Sequence, residues 1–367
     1  MVTAGFEVGT RWRLAEPPGG ARRAEGGRRC TQPAPLESPG QPLVSYVTVV
    51  RNAAPTLART LASVRAQRAA AVEHIVIDGL SDDGTLALIQ AHAAQIDYFV
   101  SEPDGGLYEA LNKALALVRG HLVCVLNADD WLTPDAAARA LAVLRRRAAH
   151  ENDPACLILT AAWQHNGPRR RLWLPGLLDV GSWLRCPNVC HNGVYATPAA
   201  LRAAGPYDTR LRIVADSRWL LAAVDAGVAI HTIHAPTVHY VTGGLSGDVK
   251  RHVAECARML ALGFPALTEQ EVWALLHAFY PWAGNLQPFA GRCPPHLGEA
   301  LQALASRHAG DAKLQACLQA AGWDAQRGQA RRVPFKRPLV ADLQRGWSRL
   351  RYTLADALGG GRRDSIA

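Results

Sequence analysis

No stretch of this sequence approaches the ~18–20 uninterrupted apolar residues that a membrane-crossing helix needs. Residues 1–40 lack the apolar core of a secretory signal and carry Arg, Gly, Pro and Glu instead. A chain with neither feature is expected to begin and stay in the cytoplasm. The eight cysteines (Cys30, Cys124, Cys156, Cys186, Cys190, Cys256, Cys293, Cys317) have no repeating spacing, so reduced thiols are expected rather than a disulfide framework. The run Cys186-Pro-Asn-Val-Cys190-His191 lacks the second ligand pair of a structural zinc site and misses the haem-attachment spacing by one residue. Also missing are the Gly-x-Gly-x-x-Gly turn of dinucleotide enzymes and the Walker loop of P-loop ATPases, so neither class fits.

Net charge is small in the middle and concentrated at the ends. Of the net +9, residues 331–367 contribute +6 and residues 1–40 contribute +2. The basicity is thus a property of the tails, and it says little about what the centre binds. Residues 1–40 read as a disordered lead rich in Gly, Pro and Arg.

Order begins near residue 43. Leu43–Val50 is a buried-strand run, and a helix is predicted from Pro55 to about Gln67, with Pro55 in its first turn. Strands are predicted at Glu73–Asp78, Tyr98–Ser101 and His121–Leu126, with helices from Gly84 to about Ala94 and from Leu107 to about Val118. A further helix starts at Thr133-Pro134-Asp135. Four βα units in succession predict a doubly wound, mostly parallel sheet with helices on both faces. Ligands of such sheets bind beyond the carboxyl ends of the strands.

The residues at those ends are Arg51-Asn52, then Asp78-Gly79 with Ser81, Asp82, Asp83, Gly84 and Thr85. Glu102-Pro103-Asp104-Gly105-Gly106 and Asn127-Ala128-Asp129-Asp130 follow. Turn chemistry accounts for one or two of these carboxylates, since Asp caps helices. It does not account for carboxylates at three successive strand ends. Hard cations such as Mg2+ or Mn2+ offset such clustered charge and keep positions open for phosphate oxygens. The pattern therefore points to carboxylates, a divalent metal and a diphosphate.

Four segments carry a resemblance: Thr48-Val49-Val50-Arg51-Asn52, Ile77-Asp78-Gly79-Leu80-Ser81-Asp82-Asp83-Gly84-Thr85, Ser101 to Lys113, and Leu126-Asn127-Ala128-Asp129-Asp130. In this order they resemble glycosyltransferase family 2, with a looser continuation through His191–Tyr195, Gly205–Asp208, Ala215-Asp216 and Gly243–Ser246. The resemblance implies a GT-A fold over residues 41–250, with a Rossmann-like, mostly parallel sheet. It also implies inverting transfer from a nucleotide diphosphate sugar, a UDP-sugar first, to a carbohydrate or lipid-linked acceptor in bacterial surface polysaccharide or glycolipid assembly. Asp78 would then meet the nucleotide base, with Thr48 and Arg51 in the same pocket and Asp104 and Asn112 as further donor contacts. Asp129 would hold the ribose, and Asp129 and Asp130 the metal. Asp216 would be the general base, although it could instead only cap the helix that follows it. Two positions depart from the family pattern: Asn127 replaces the first Asp of the metal motif, and Ser217 the usual second acidic residue after the base. His191 and Asn192 fall in a predicted return strand; His191 is either a packed core residue or an acceptor contact, and Asn192 is its neighbour there.

Residues 251–330 read as a helical C-terminal extension, with Val272, Leu275, Leu276 and Phe279 at helical spacing. In the basic tail 331–367, Leu343, Trp347, Leu350, Leu354 and Leu358 form a candidate amphipathic helix, which is expected to touch anionic membrane at its inner face or to pack on the protein itself. Two other readings are open. A sugar-nucleotidyltransferase would want a Gly-rich loop and an Arg directly after strand one. A nucleic-acid-binding protein would interleave aromatic and basic residues across a fold whose centre is here nearly neutral, so no nucleic acid is expected as a partner.

Overall fold

The computed structural model describes residues 6–17, 19–31, 44–67, 71–148, 155–244, 247–324 and 329–330. The candidate tail helix lies outside them, as do Leu245 and Ser246. The central sheet is built from β1 (Ala24–Gly26), β2 (Val44–Val50), β3 (Val72–Asp78), β4 (Tyr98–Ser101), β5 (Leu122–Val125), β6 (Trp131–Leu132), β7 (Cys156–Asn166), β8 (Arg169–Trp173), β9 (Val194–Ala196) and β10 (Ala229–Val241). Its order is β1-β4-β3-β2-β5-β9-β7-β10-β6, with β8 beside β7. β4, β3, β2 and β5 run parallel, which is the predicted βα arrangement. β9 then runs antiparallel between β5 and β7, and β7 pairs parallel with β10.

The parallel block is apolar on both faces because helices cover both. All seven residues of β2 and six of seven in β3 are buried, as expected for strands sandwiched between helical layers. One face carries Val47, Val49, Ile75, Ile77, Val123 and Val125. The other carries Tyr46 and Cys124 in one cluster and Val50 and Val76 in another, where Leu57 of the helix Ala54–Arg65 joins them. The helices of the C-terminal extension, Val249–Gly263, Glu269–Phe279, Leu297–Arg307 and Ala312–Ala320, join the first of these cores. The expected stripe Val272, Leu275, Leu276 and Phe279 is buried. Thr268 and Glu271 close a reciprocal capping box at the start of that helix.

The reading of residues 1–40 as a disordered lead is corrected for 6–17 and 19–31. β1 pairs antiparallel with β4 and closes that sheet edge, Ala24 opposite Ser101. Gly9 N–H donates to the Leu115 carbonyl at 3.0 Å and Arg23 N–H to the Ser101 carbonyl at 2.7 Å. Arg22 pairs with Glu102 at 2.8 Å, both side chains nearly buried, and Arg29 forms a buried pair with Glu73. The segment is poor in apolar residues, so composition reads it as unable to form a core. It is held instead by guanidinium groups that fit carboxylates on the domain.

All eight cysteines are free thiols.

Candidate active site

The loops after β2 and β3 are laced together by the polar residues of the Ser-x-Asp-Gly-Thr segment. Asn52 N–H donates to Ser81 Oγ at 2.8 Å, and Asp82 N–H donates to Asn52 Oδ1 at 3.0 Å. Ala53 N–H reaches Thr85 Oγ1 at 2.9 Å and Ala54 N–H reaches Asp83 Oδ2 at 3.1 Å. Asn52 sits at φ 54°, a left-handed conformation that Asn tolerates better than most residues. Ser81, Asp83 and Thr85 are therefore loop-fastening groups. Glu102 is likewise occupied, by Arg22 and by Lys113 at 3.2 Å. Not all of the strand-end carboxylates face a ligand.

Asp78 ends β3 and is fully buried. Its carboxylate accepts from Ser101 Oγ at 2.6 Å, from Ser81 Oγ, and from Ser81 N–H at 3.2 and 3.3 Å. A carboxylate has about four lone-pair sites, so three donors leave one acceptor position. Asp104 is half-buried above Gly79, where a Cβ would lie 2.6 Å from Asp104 Oδ2. Asp104 Oδ1 accepts from Gly106 N–H at 2.8 Å. Arg51 is exposed just beyond β2. Thr48 does not line this crevice. It is fully buried in mid-strand, with Oγ1 3.0 Å from His74 Nε2, and burial pulls that imidazole down to about 3.

The two carboxylates after β5 have different surroundings. Asp129 is half-buried, and among the described residues no other side chain bonds to its carboxylate. Burial pushes its pKa up, opposed by its own backbone N–H and by Arg59. Arg59 donates to the Asp129 carbonyl at 3.0 Å and lies 3.6 Å above the Trp131 ring. Asp130 is fully buried. Its Oδ1 accepts from Val241 N–H at 2.7 Å and its Oδ2 from the Asn192 amide. Burial raises its pKa strongly, with Asp129 adding to the shift. Asp130, expected to share a metal with Asp129, is turned inward with one donor on each oxygen, whereas the Asp129 carboxylate is half-buried and, among the described residues, carries no side-chain bond. Asn192 is corrected: 2% exposed and bonded to Asp130, it anchors the loop and does not face an acceptor.

His191 and Asn192 lie in a 3-10 turn, His191–Gly193, just before β9, and not in the strand itself. His191 Nε2 is 2.9 Å from Tyr207 Oη. Burial lowers the His191 pKa, while the Asp216 charge works the other way. Tyr207 stacks on Tyr108 with centroids 5.7 Å apart. Asn112, expected as a donor contact, is also corrected. Its amide donates to the Tyr207 carbonyl and accepts from Tyr207 N–H, both at 2.9 Å. Both ends of the amide are thereby committed to one residue's backbone.

Asp216 lies in the first turn of the helix Ala215–Asp225 and accepts from Ser217 N–H at 2.6 Å. The segment that delivers it is held from three sides. Glu255 accepts from the N–H groups of Arg212 at 2.9 and 3.0 Å, Ile213 at 2.7 Å and Val214 at 3.2 Å. Tyr108 Oη donates to the Ile213 carbonyl at 2.7 Å. The Arg212 guanidinium donates to the Gly105 carbonyl; at Gly106 (φ 125°) a Cβ would meet that guanidinium at 2.5 Å. Glu255 was invisible in the sequence because it sits in an Ala- and Leu-rich helical run with no local motif.

Residues 45–172 match Glycosyl transferase family 2. That stretch of the chain is similar to glycosyltransferase family 2. An uncharacterized glycosyltransferase of Mycobacterium tuberculosis is 43% identical to it over 105 residues, 28% of this chain and 40% of that protein. The chain thus spans well under two thirds of that relative's length. A PGL/p-HBAD biosynthesis glycosyltransferase of Mycobacterium bovis is 28% identical over 179 residues, 48% of this chain and 67% of that protein. The structure of S. aureus TarS 1-349 in complex with UDP-GlcNAc covers 78% of this chain and 92% of its own at 15% identity, with a TM-score of 0.51. That likeness shows the GT-A fold expected from the sequence. The family 2 match ends at Trp173's neighbour, residue 172, so Asp216 and Glu255 lie beyond the matched segment.

Proposed function

We propose that this chain moves a sugar from a nucleoside diphosphate donor, a UDP-sugar, to an acceptor hydroxyl with inversion. The observation that carries the reading is the open carboxylate of Asp129 at the carboxyl end of β5, beside a fully buried Asp130. Ligands of parallel sheets bind at that edge. The oxygen donor of Asp129 suits a hard divalent cation that takes most of its ligands from phosphate and water. Asp129 would be the protein's carboxylate ligand, and Mg2+ or Mn2+ commonly keeps its other positions for phosphate and water. When bound, such a cation supplies Lewis-acid stabilisation of the leaving diphosphate.

The remaining roles belong to the chain. Asp78 keeps one acceptor position for the imide N–H of uracil, and Arg51 and Asp104 flank that crevice. Asp216 accepts the acceptor hydroxyl's proton as its oxygen bonds to the anomeric carbon and the C–O bond to the diphosphate breaks. His191, fixed by Tyr207, is the acceptor-side contact. The PGL/p-HBAD relative supports a glycolipid or surface-polysaccharide acceptor, and the basic tail 331–367 supports contact with anionic membrane at the inner face.

Calorimetry of UDP and GDP with and without Mn2+ tests the donor side. UDP should bind more tightly with Mn2+, and Asp129→Asn should abolish that gain; equal binding in chelator would sink the reading. Asp216→Asn should keep UDP affinity and lose about 10²–10⁴ in turnover, the usual effect of removing a general base.

A further inference from the structure

A strip of stacked rings leads away from Asp129 along one face of the sheet. Trp131 in β6 lies opposite His239 in β10, and His239 lies opposite Trp163 in β7. His165, two residues beyond Trp163, lies opposite Arg170 in β8. Residues directly opposite across a ladder share a face, as do residues two apart along a strand. The contacts agree. Trp131 stacks on His239 with centroids 4.6 Å apart and planes 5° apart, and His165 Nε2 is 2.9 Å from His239 Nδ1. Arg170 lies 4.4 Å above the Trp163 ring, and Arg59 lies 3.6 Å above Trp131 at the inner end.

All four rings are half-buried, and both guanidinium groups are exposed. A cation stands at each end, and among the described residues no carboxylate pairs with the side chain of Arg59 or Arg170. The acidic groups at the inner end are Asp129, on whose carboxylate the Arg59 charge acts, and Asp130, which is buried and engaged with Asn192 and Val241. The field at the outer, Arg170 end is therefore positive. It also shows in the imidazoles: burial, His165 and the two arginines bring His239 down to about 4, and burial with Arg170 and Arg59 lowers His165.

We propose that this strip is the acceptor subsite and that it selects a sugar bearing an anionic group, a carboxylate or a phosphate ester. The claim rests on the transferase reading and specifies its acceptor. Flat aromatic and imidazole faces take the apolar face of a pyranose ring, while guanidinium forks pair with planar oxyanions. Arg170 is the selecting residue at the outer end. The Asp130–Val241 hydrogen bond fixes the end of β10 beneath the strip.

The test uses the full-length protein labelled with 13C-histidine. The His165 and His239 signals, assigned from His165→Asn and His239→Asn, are followed during titration with glucose 6-phosphate, glucuronate and glucose. The two anions should shift both signals and raise the His239 midpoint, since a nearby negative charge favours the imidazolium. Glucose should do neither. A response to only one anion identifies which source of charge the site accepts. Arg170→Gln should weaken the anion response about tenfold, the scale of one charged hydrogen bond, with thermal unfolding unchanged. Equal shifts with glucose, no shifts with either anion, or an unaltered response in Arg170→Gln would overturn the proposal. UDP calorimetry on the same samples separates the two readings. Lost UDP binding with intact anion shifts would remove the donor assignment, and the reverse would remove the acceptor subsite.

Discussion

The Glu255 carboxylate accepts from Ile213 N–H at 2.7 Å, while the Ile213 carbonyl accepts from Tyr108 Oη at 2.7 Å. One residue of the segment leading to Asp216 is thus gripped at both backbone polar groups. The two grips come from the helix Val249–Gly263 and from the helix Leu107–Leu115. The C-terminal helices accordingly have a task beyond packing, which is to fix the segment that presents the proposed base. Glu255→Ala leaves up to three N–H groups without their acceptor. It should lower kcat about 10²-fold, since small misplacements of a reacting group cost rate on that scale. UDP affinity by calorimetry should stay within a factor of two or so, as the Glu255 carboxylate bonds to Arg212, Ile213 and Val214 and, among the described residues, to none of the loops after β2 and β3. Rescue by Glu255→Gln, which keeps one acceptor oxygen, should be partial. Equal loss of UDP affinity and turnover in Glu255→Ala would mean that the clamp supports the whole fold.

Asp129 and Asp130 should separate cleanly when mutated. Asp130→Ala removes the acceptor for the partly buried Val241 N–H and for the buried Asn192 amide. Leaving such donors unpaired costs about 1–3 kcal/mol each, partly offset because the buried carboxylate is itself expensive to keep. The expected result is a lower denaturation midpoint with Mn2+-dependent UDP binding retained. Asp129→Ala should do the opposite: unchanged stability and no Mn2+ dependence. If Asp130→Ala alone abolished the Mn2+ effect without destabilising the protein, Asp130 would be a direct ligand after all.

The parallel block was legible in the sequence because each strand is a short apolar run followed by a turn and a helix, a pattern set locally by backbone geometry. Val44–Val50 and Val72–Asp78 lie within a residue of their expected bounds. Asp78 and Asp129 stand at or just beyond strand ends, as the apolar runs before them predict. Thr48, Asn112 and Asn192 misled for one reason. Each is polar and close to a motif, but the direction of its side chain is decided by a partner far away in sequence: His74, Tyr207 and Asp130. Glu255, 39 positions from Asp216, gave no sign at all. The N-terminal segment failed differently, since composition measures apolar content and this segment is fastened by charge.

That fastening can be measured. Arg29 is 5% exposed, pairs with Glu73 and donates to the Leu117 carbonyl at 3.0 Å. Glu73 Oε2 also accepts from Ser45 Oγ and from Arg119 N–H at 3.0 Å. Removing one partner of a buried pair typically costs about 3–5 kcal/mol. Arg29→Ala should therefore lower unfolding stability by about that much in urea denaturation, and deletion of residues 1–31 should lower it further. A midpoint unchanged by Arg29→Ala would show that the segment rests on the domain without stabilising it.

The pH dependence of stability should carry the mark of His74. This imidazole is 3% exposed beneath Thr48, and burial alone lowers its pKa from the ordinary 6.5 to about 3. Above pH 6.5 it is neutral in both the folded and unfolded chains and contributes no pH dependence. Between pH 6.5 and about 3 the unfolded chain binds a proton that the folded chain refuses, so stability falls as the pH falls. The limiting slope is about 1.4 kcal/mol per pH unit for one such group. His165 and His239 act in the same direction over part of that range, whereas carboxylates held low by arginine partners, such as Asp208, lose their contribution only at lower pH. His74→Gln keeps a polar group near Thr48 Oγ1 and removes the titration. Urea denaturation of the two proteins at pH 7.5, 6.0 and 5.0 should show the wild type losing stability faster on acidification, with the difference growing by about 1 kcal/mol per unit below pH 6. Parallel curves for the two proteins would mean that His74 gains a proton in the folded state, contrary to its burial.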